Sequence, residues 1–192
     1  MKELLKEIKK DKMLLSNLLA GIPYMYSKTC VSQYMYQNLQ DRLMTFMSLL
    51  AAVVLVYFTI KWRDKDGQEI TKKIFKPMLL IETTTYGLLV GYFLLSKNVI
   101  AFYVLNCLMN IIISQNILNC LYFIEAVRYG EEKIAKYNMD KTAVGSINSI
   151  IGYGLSTLLP PSVNAAFIIF YIATIIDNYY QIKVYNDTFK KM

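Results

Sequence analysis

The chain has 192 residues, 55% of them hydrophobic and 18% charged, with a net charge of +7 and a mean hydropathy of +0.33. The apolar residues come in long runs, not in the stripes of a soluble helical bundle, so membrane-crossing helices are expected in preference to a water-soluble all-α protein with unusually buried helices. No histidine is present, no paired carboxylates stand at catalytic spacing, and there is no phosphate-cradling glycine loop or metal-ligand set. An enzyme, a metal and a cofactor are therefore not expected.

Residues 1–12, MKELLKEIKKDK, mix both charges and lack the layout of a secretory signal. They are expected to form a short cytoplasmic helix ahead of the first apolar run. That run, extended through its polar flank, predicts a span over 13–36. Tyr24, Lys28, Ser32 and Tyr36 recur in it at i+4 spacing, which puts two phenols, a hydroxyl and an ammonium group along one face. Lys28 lies about 13 residues before Asp41, roughly 20 Å along a helix, too deep for easy reach to the headgroups. A lysine at that depth costs ~2.5–3.5 kcal/mol on insertion scales, so it is expected to face a cavity.

After the short connection QNLQDR, residues 42–61 predict a second span, with Ser48 and Ala52 as a weak small-residue pair. The charged loop KWRDKDGQEITKKIFK leads to a third span over 75–96, which carries Glu82 near its start. The turn SKN precedes a long fourth span over 98–128. There Asn106, Asn110 and Ser114 share one face at i+4 spacing, while Gln115, Asn116 and Asn119 lie on roughly the opposite flank. Amides in lipid need partners. One stripe is expected to bind neighbouring helices and the other, provisionally Asn106, Asn110 and Ser114, to face a cavity.

Glu125 closes the fourth span, and the polar loop RYGEEKIAKYNMDK follows. The fifth span, 142–160, has Gly145 and Ser149 as one small-xxx-small pair and Asn148, Gly152 and Ser156 as a second string. After PPS, the sixth span covers 162–182 and carries Asp177. Glu82, Glu125 and Asp177 are candidates for proton or ion coupling; pairing with loop cations is the alternative. Cys30, Cys107 and Cys120 all fall inside spans, are odd in number, and read as packing residues.

Charge placement orients the chain. Five basic residues lie in 1–12, six in 61–76, four in 128–141 and three in 183–192, leaving only Lys28, Arg42 and Lys97 elsewhere. Basic residues thus cluster in every second connection, which by the positive-inside rule gives six crossings with both termini in the cytoplasm. The expected fold class is an all-α polytopic membrane domain over 1–192, in a bacterial cytoplasmic membrane. The basic balance points to lipid headgroups as partners, not nucleic acid.

This layout resembles one six-helix half of a major facilitator superfamily transporter. The second-to-third loop reads Asp64-Lys65-Asp66-Gly67, similar to the Asp-Arg-x-Gly core of that family's signature loop, with Lys65 in place of Arg. It departs at Ile60, where the family has Gly, and at Gln68-Glu69, where Arg or Lys would follow. The resemblance implies cavity-lining first and fourth helices, hence Lys28 and the Asn106 face. It implies that the second and fifth helices meet a partner half, with the ridge of Gly145, Ser149, Gly152 and Ser156 as the seam of a parallel homodimer or a paired second half. The implied function is movement of a small polar or anionic solute. Two other readings stay open: a solute-binding subunit of an energy-coupling-factor importer, and a non-transport membrane scaffold or regulator.

Overall fold

The computed structural model describes residues 2–63 and 67–190, and every regular element among them is helical. The order is α1 (Lys2–Lys10), α2 (Lys12–Asn38), α3 (Asp41–Arg63), α4 (Gly67–Ser96), α5 (Val99–Met109), a π turn (Asn110–Ser114), α6 (Gln115–Leu158) and α7 (Val163–Phe189). α6 breaks into two limbs at Gly130, whose φ of 63° and ψ of 176° only glycine adopts readily.

Local chemistry sets the helix ends. Asp11 starts α2, its carboxylate accepting from the Met13 and Leu14 amides at 2.8 and 3.4 Å. Between α4 and α5, Lys97 takes a left-handed φ of 55° and Asn98 accepts from the Ala101 amide at 3.0 Å. Ser162 caps α7 in the same way, after a Pro-Pro pair that stops α6. Inside α2, Ser27 donates to the carbonyls of Pro23 and Tyr24 at 2.8 and 3.0 Å, in the turn that follows the proline.

Helices run past the apolar edges. α4 begins at Gly67, eight residues before its expected span, and the second limb of α6 takes in most of the polar loop RYGEEKIAKYNMDK. Four described stretches are long and apolar enough to cross a membrane: Asp41–Trp62, Gly67–Ser96, Val99–Leu158 with its break at Gly130, and Val163–Phe189. α2 has the length, but its Asn, Tyr, Ser, Lys and Gln residues dilute its apolarity.

The described residues form two compact units, 1–32 with 125–192 and 33–124. In the second unit, α3 and α4 both pack on α5 and the π turn. α4 contributes Phe75, Leu79, Tyr86, Leu89, Val90 and Phe93 to the core, a single helical face. α3 is the reverse: Met47 is buried, whereas Phe46, Leu49, Val53, Val56 and Ile60 are all more than half exposed. An outward surface of this kind is what lipid, not water, accommodates.

In the first unit, Leu14, Val144, Phe167 and Val184 are almost fully buried. Close backbone approach organises this packing. A Cβ on Gly152 would meet Met25 Cβ at 2.5 Å and the Tyr26 amide nitrogen at 2.9 Å. One on Gly21 would meet the Asn148 amide at 2.0 Å, and Asn148 donates to the Asn17 carbonyl at 2.7 Å. Tyr26 donates to the Leu159 carbonyl at 2.7 Å. Small residues thus seat α2 against the second limb of α6 within one unit.

Candidate functional site

Polar residues in an apolar helix need a neighbour, and in the second unit the neighbours are α4 and α3. The Tyr86 hydroxyl of α4 donates to Asn110 Oδ1 at 3.2 Å. Asn110 Nδ2 in turn donates to the Asn106 carbonyl at 2.8 Å. One turn further, Ser114 Oγ donates to Glu82 Oε1 at 2.7 Å. On the other flank, the Trp62 indole of α3 donates to Asn116 Oδ1 at 2.8 Å, and Asn116 Nδ2 donates to the Ile112 carbonyl. Both stripes read from the sequence therefore bond to other helices, the first to α4 and the second to α3.

The π turn has a geometric effect on the first stripe. An α-helix has about 3.6 residues per turn, so an i, i+4 series drifts steadily round the axis. The wider turn, marked by the Gln115 amide bonding to the Asn110 carbonyl, works against that drift and brings Ser114 back toward the azimuth of Asn106. Glu82 is buried here, Asn106 half-buried and Asn110 exposed. An exposed amide, a phenol and a hydroxyl–carboxylate pair can offer a solute both donors and acceptors.

The first unit holds the remaining candidates. Lys28 is exposed, with its ammonium nitrogen 5.5 Å from the centre of the Tyr24 ring and no ion pair among the described residues. Tyr24 also packs on Phe170 of α7 at 5.2 Å. Ser32 is half-buried, and Tyr36, which belongs to the second unit, is 70% exposed. Gly152 and Ser156 are buried by the chain's own packing, whereas nothing stands within 4 Å of a Cβ built on Gly145; Ser149 bonds to the Gly145 carbonyl at 3.0 Å. Of the signature-like loop, Asp64 and Lys65 lie outside the described residues. Gly67 opens α4 against Phe123.

The other two carboxylates sit in bonded networks. Glu125 Oε1 accepts from Lys141 at 2.6 Å and from the Tyr137 hydroxyl at 3.2 Å. Tyr137 stacks on Tyr129 at 4.0 Å, and Tyr129 donates to Asp11 Oδ2 at 2.6 Å. Both tyrosines belong to the polar stretch between two apolar segments. Burial first, and then Asp11 for Tyr129 or Glu125 for Tyr137, pushes each phenol up, so both act as donors. Asp177 accepts from Ser16 at 2.8 Å and from Gln181 at 2.6 Å. Lys12 pairs with Asp187, and Lys136 with Glu7 at 3.2 Å.

Sequence reasoning did not single out Tyr86, Trp62, Asp11, Tyr129, Tyr137 or Lys141. Asp11 carried a readable signal, an acid directly before a helical run. The aromatic donors carried none, because a tyrosine in an apolar helix looks the same whether or not its hydroxyl has a partner. Comparison with protein-family models, curated proteins and solved structures finds no match.

Proposed function

We propose that this chain is an integral membrane protein that moves a small polar or anionic solute, working as a half-size, facilitator-like carrier with six crossings and both termini in the cytoplasm of a bacterial cell. Asn110 is the observation that carries the reading. It is an exposed amide on a stretch, 99–114, whose other exposed residues, Ile100, Leu105, Leu108 and Ile112, are apolar, and it is held in place by Tyr86 and Asn106. An amide turned to hydrocarbon is costly, so this position suits water or solute.

The grouping of helices supports the facilitator-like layout. Counted as six segments, the first unit holds most of the first with the fifth and sixth, and the second unit holds the second, third and fourth. Exchanging first with fourth, second with fifth and third with sixth converts one set into the other, as two three-helix repeats would. On this reading Lys28 supplies charge for an anionic solute, Tyr24, Ser32 and Tyr36 line its approach, and Glu82 beside Ser114 is the candidate for proton coupling. Glu125 and Asp177, in their bonded networks, hold the first unit together instead. The parallel homodimer, or the pairing with a second half, would use Gly145 and Ser149, because α2 already covers Gly152 and Ser156 is buried.

Water access at Asn110 tests this directly. In a background with Cys30, Cys107 and Cys120 changed to Ala, Asn110→Cys is expected to react with a membrane-impermeant maleimide in intact vesicles. Purified protein in proteoliposomes is expected to take up at least one of a labelled sugar, amino acid or carboxylate, and Lys28→Ala or Asn110→Ala to reduce that uptake by roughly tenfold, the equivalent of one lost charge-assisted hydrogen bond. A thiol at 110 reached only by lipophilic reagents, with no uptake of any of the three above empty liposomes, overturns the carrier reading.

A further inference from the structure

Within the second unit, a cavity of about 440 Å³ opens where α3 ends and α4 begins. Four aliphatic side chains wall it: Ile70, Ile74 and Met78 along one face of α4, and Ile112 from the π turn. Among the described residues, its charged lining residues are Lys61 and Lys73, and no carboxylate lines it. Lys61 rests 5.8 Å from the Tyr57 ring centre, and neither lysine forms an ion pair among the described residues. Trp62 and Asn116 complete the lining, their side chains bonded to each other at 2.8 Å. The volume lies in the range of small-ligand sites, roughly 300–1,000 Å³.

We infer that this cavity is a binding site for an anionic phospholipid, with Lys61 and Lys73 on the headgroup phosphate and the first methylenes of one acyl chain against Ile70, Ile74, Met78 and Ile112. The walls decide the class of ligand. A free phosphate or a soluble metabolite has no use for four aliphatic side chains, and a neutral lipid has none for two ammonium groups. The level decides the source. α3 becomes basic at Lys61 as its apolar run ends, and the part of α4 before Pro77 carries Lys72, Lys73 and Lys76, so the lysines mark the depth at which headgroups lie. A tryptophan bonded at the same depth suits that boundary. The second acyl chain remains in the bilayer beside the outward apolar face of α3. None of this depends on whether the chain carries a solute.

Native mass spectrometry of the detergent-solubilised protein, titrated with phosphatidylglycerol or with phosphatidylcholine of identical chains, tests the site. Phosphatidylglycerol is expected to be retained at one saturable site in clear preference to phosphatidylcholine. Lys61→Gln with Lys73→Gln is expected to weaken that retention by roughly thirtyfold, at about fivefold per lysine. Ile74→Trp, which fills the cavity without changing charge, is expected to abolish the preference; if that variant does not fold, the lysine pair carries the test. Lys9→Gln with Lys10→Gln removes the same charge from α1 and is expected to leave retention unchanged. Equal retention of the two lipids, equal loss from the Lys9/Lys10 pair, or full displacement by glycerol 3-phosphate would each overturn the assignment.

Discussion

The two units bury polar side chains in different places and with different partners. In the first, the acids are matched by donors: Asp11 by two backbone amides and Tyr129, Glu125 by Lys141 and Tyr137, Asp177 by Ser16 and Gln181. Glycines there let backbones touch. In the second, the polar bonds lie along one helix around a π turn, an amide is left exposed, and a cavity remains open. Matched charges and backbone contacts rigidify a scaffold. A wide turn with incompletely covered polar groups is the kind of local feature found at functional sites. The contrast separates a first unit whose acids are matched by donors from a second that leaves an amide exposed and a cavity open.

The largest effect is expected from breaking the support. Gly152→Leu would drive a side chain into the Met25 and Tyr26 backbone, at an expected cost above about 3 kcal/mol. Its counterpart Gly145→Ala, facing open space, should stay within roughly 1 kcal/mol of wild type and raise rather than lower stability. Thermal unfolding in detergent separates them; similar losses for both would erase the distinction between the two ends of this ridge.

A smaller loss is expected for Lys141→Ala. It leaves Glu125, 5% exposed at its side chain, with Tyr137 as its remaining bonded donor. Lys141 is itself 36% exposed, so water offsets part of the penalty, and about 1–3 kcal/mol is expected. Glu125→Gln in the Lys141→Ala background should recover part of that loss in the same unfolding assay, and an unchanged double variant would mean that charge is not the issue.

The smallest of the three lies in the second unit. Trp62→Phe removes the donor to Asn116 while keeping an aromatic wall, for about 1 kcal/mol of stability. Its sharper readout is indole fluorescence of the wild type, because Trp62 is the chain's one tryptophan. Phospholipids brominated along the acyl chain should quench it strongly if the end of α3 sits at a lipid-accessible level. Absence of quenching would place this end of the unit away from lipid.

Much of the helical layout was legible in the residues. Apolar runs marked the long helices, SKN and PPS marked tight turns, and Asn98 and Ser162 stand where caps belong. Gly145 and Gly152 show where legibility stopped. Both looked like small-residue ridge positions, yet one is closed over by α2 and the other is open, because spacing records that a backbone can be approached, not which backbone arrives. The Asn106–Ser114 stripe was legible as a stripe, but NIIIS says nothing of a π turn, so neither its azimuth nor its bonds to Tyr86 and Glu82 could be read. The continuation of α4 and α6 beyond their apolar edges was missed for a related reason: a charged segment with good helix formers extends a helix as readily as it starts a new one.

By itself, the sequence determined that this chain is helical, that its apolar surface is suited to lipid, and where its charges fall along the chain. Those properties follow from composition and local period, which each segment carries alone. Only the tertiary structure decided which acids acquire donors, which glycine meets a backbone, and that Lys61 and Lys73 share a cavity with aliphatic walls. Each of these depends on residues far apart in the chain arriving at the same place, and that is set by packing.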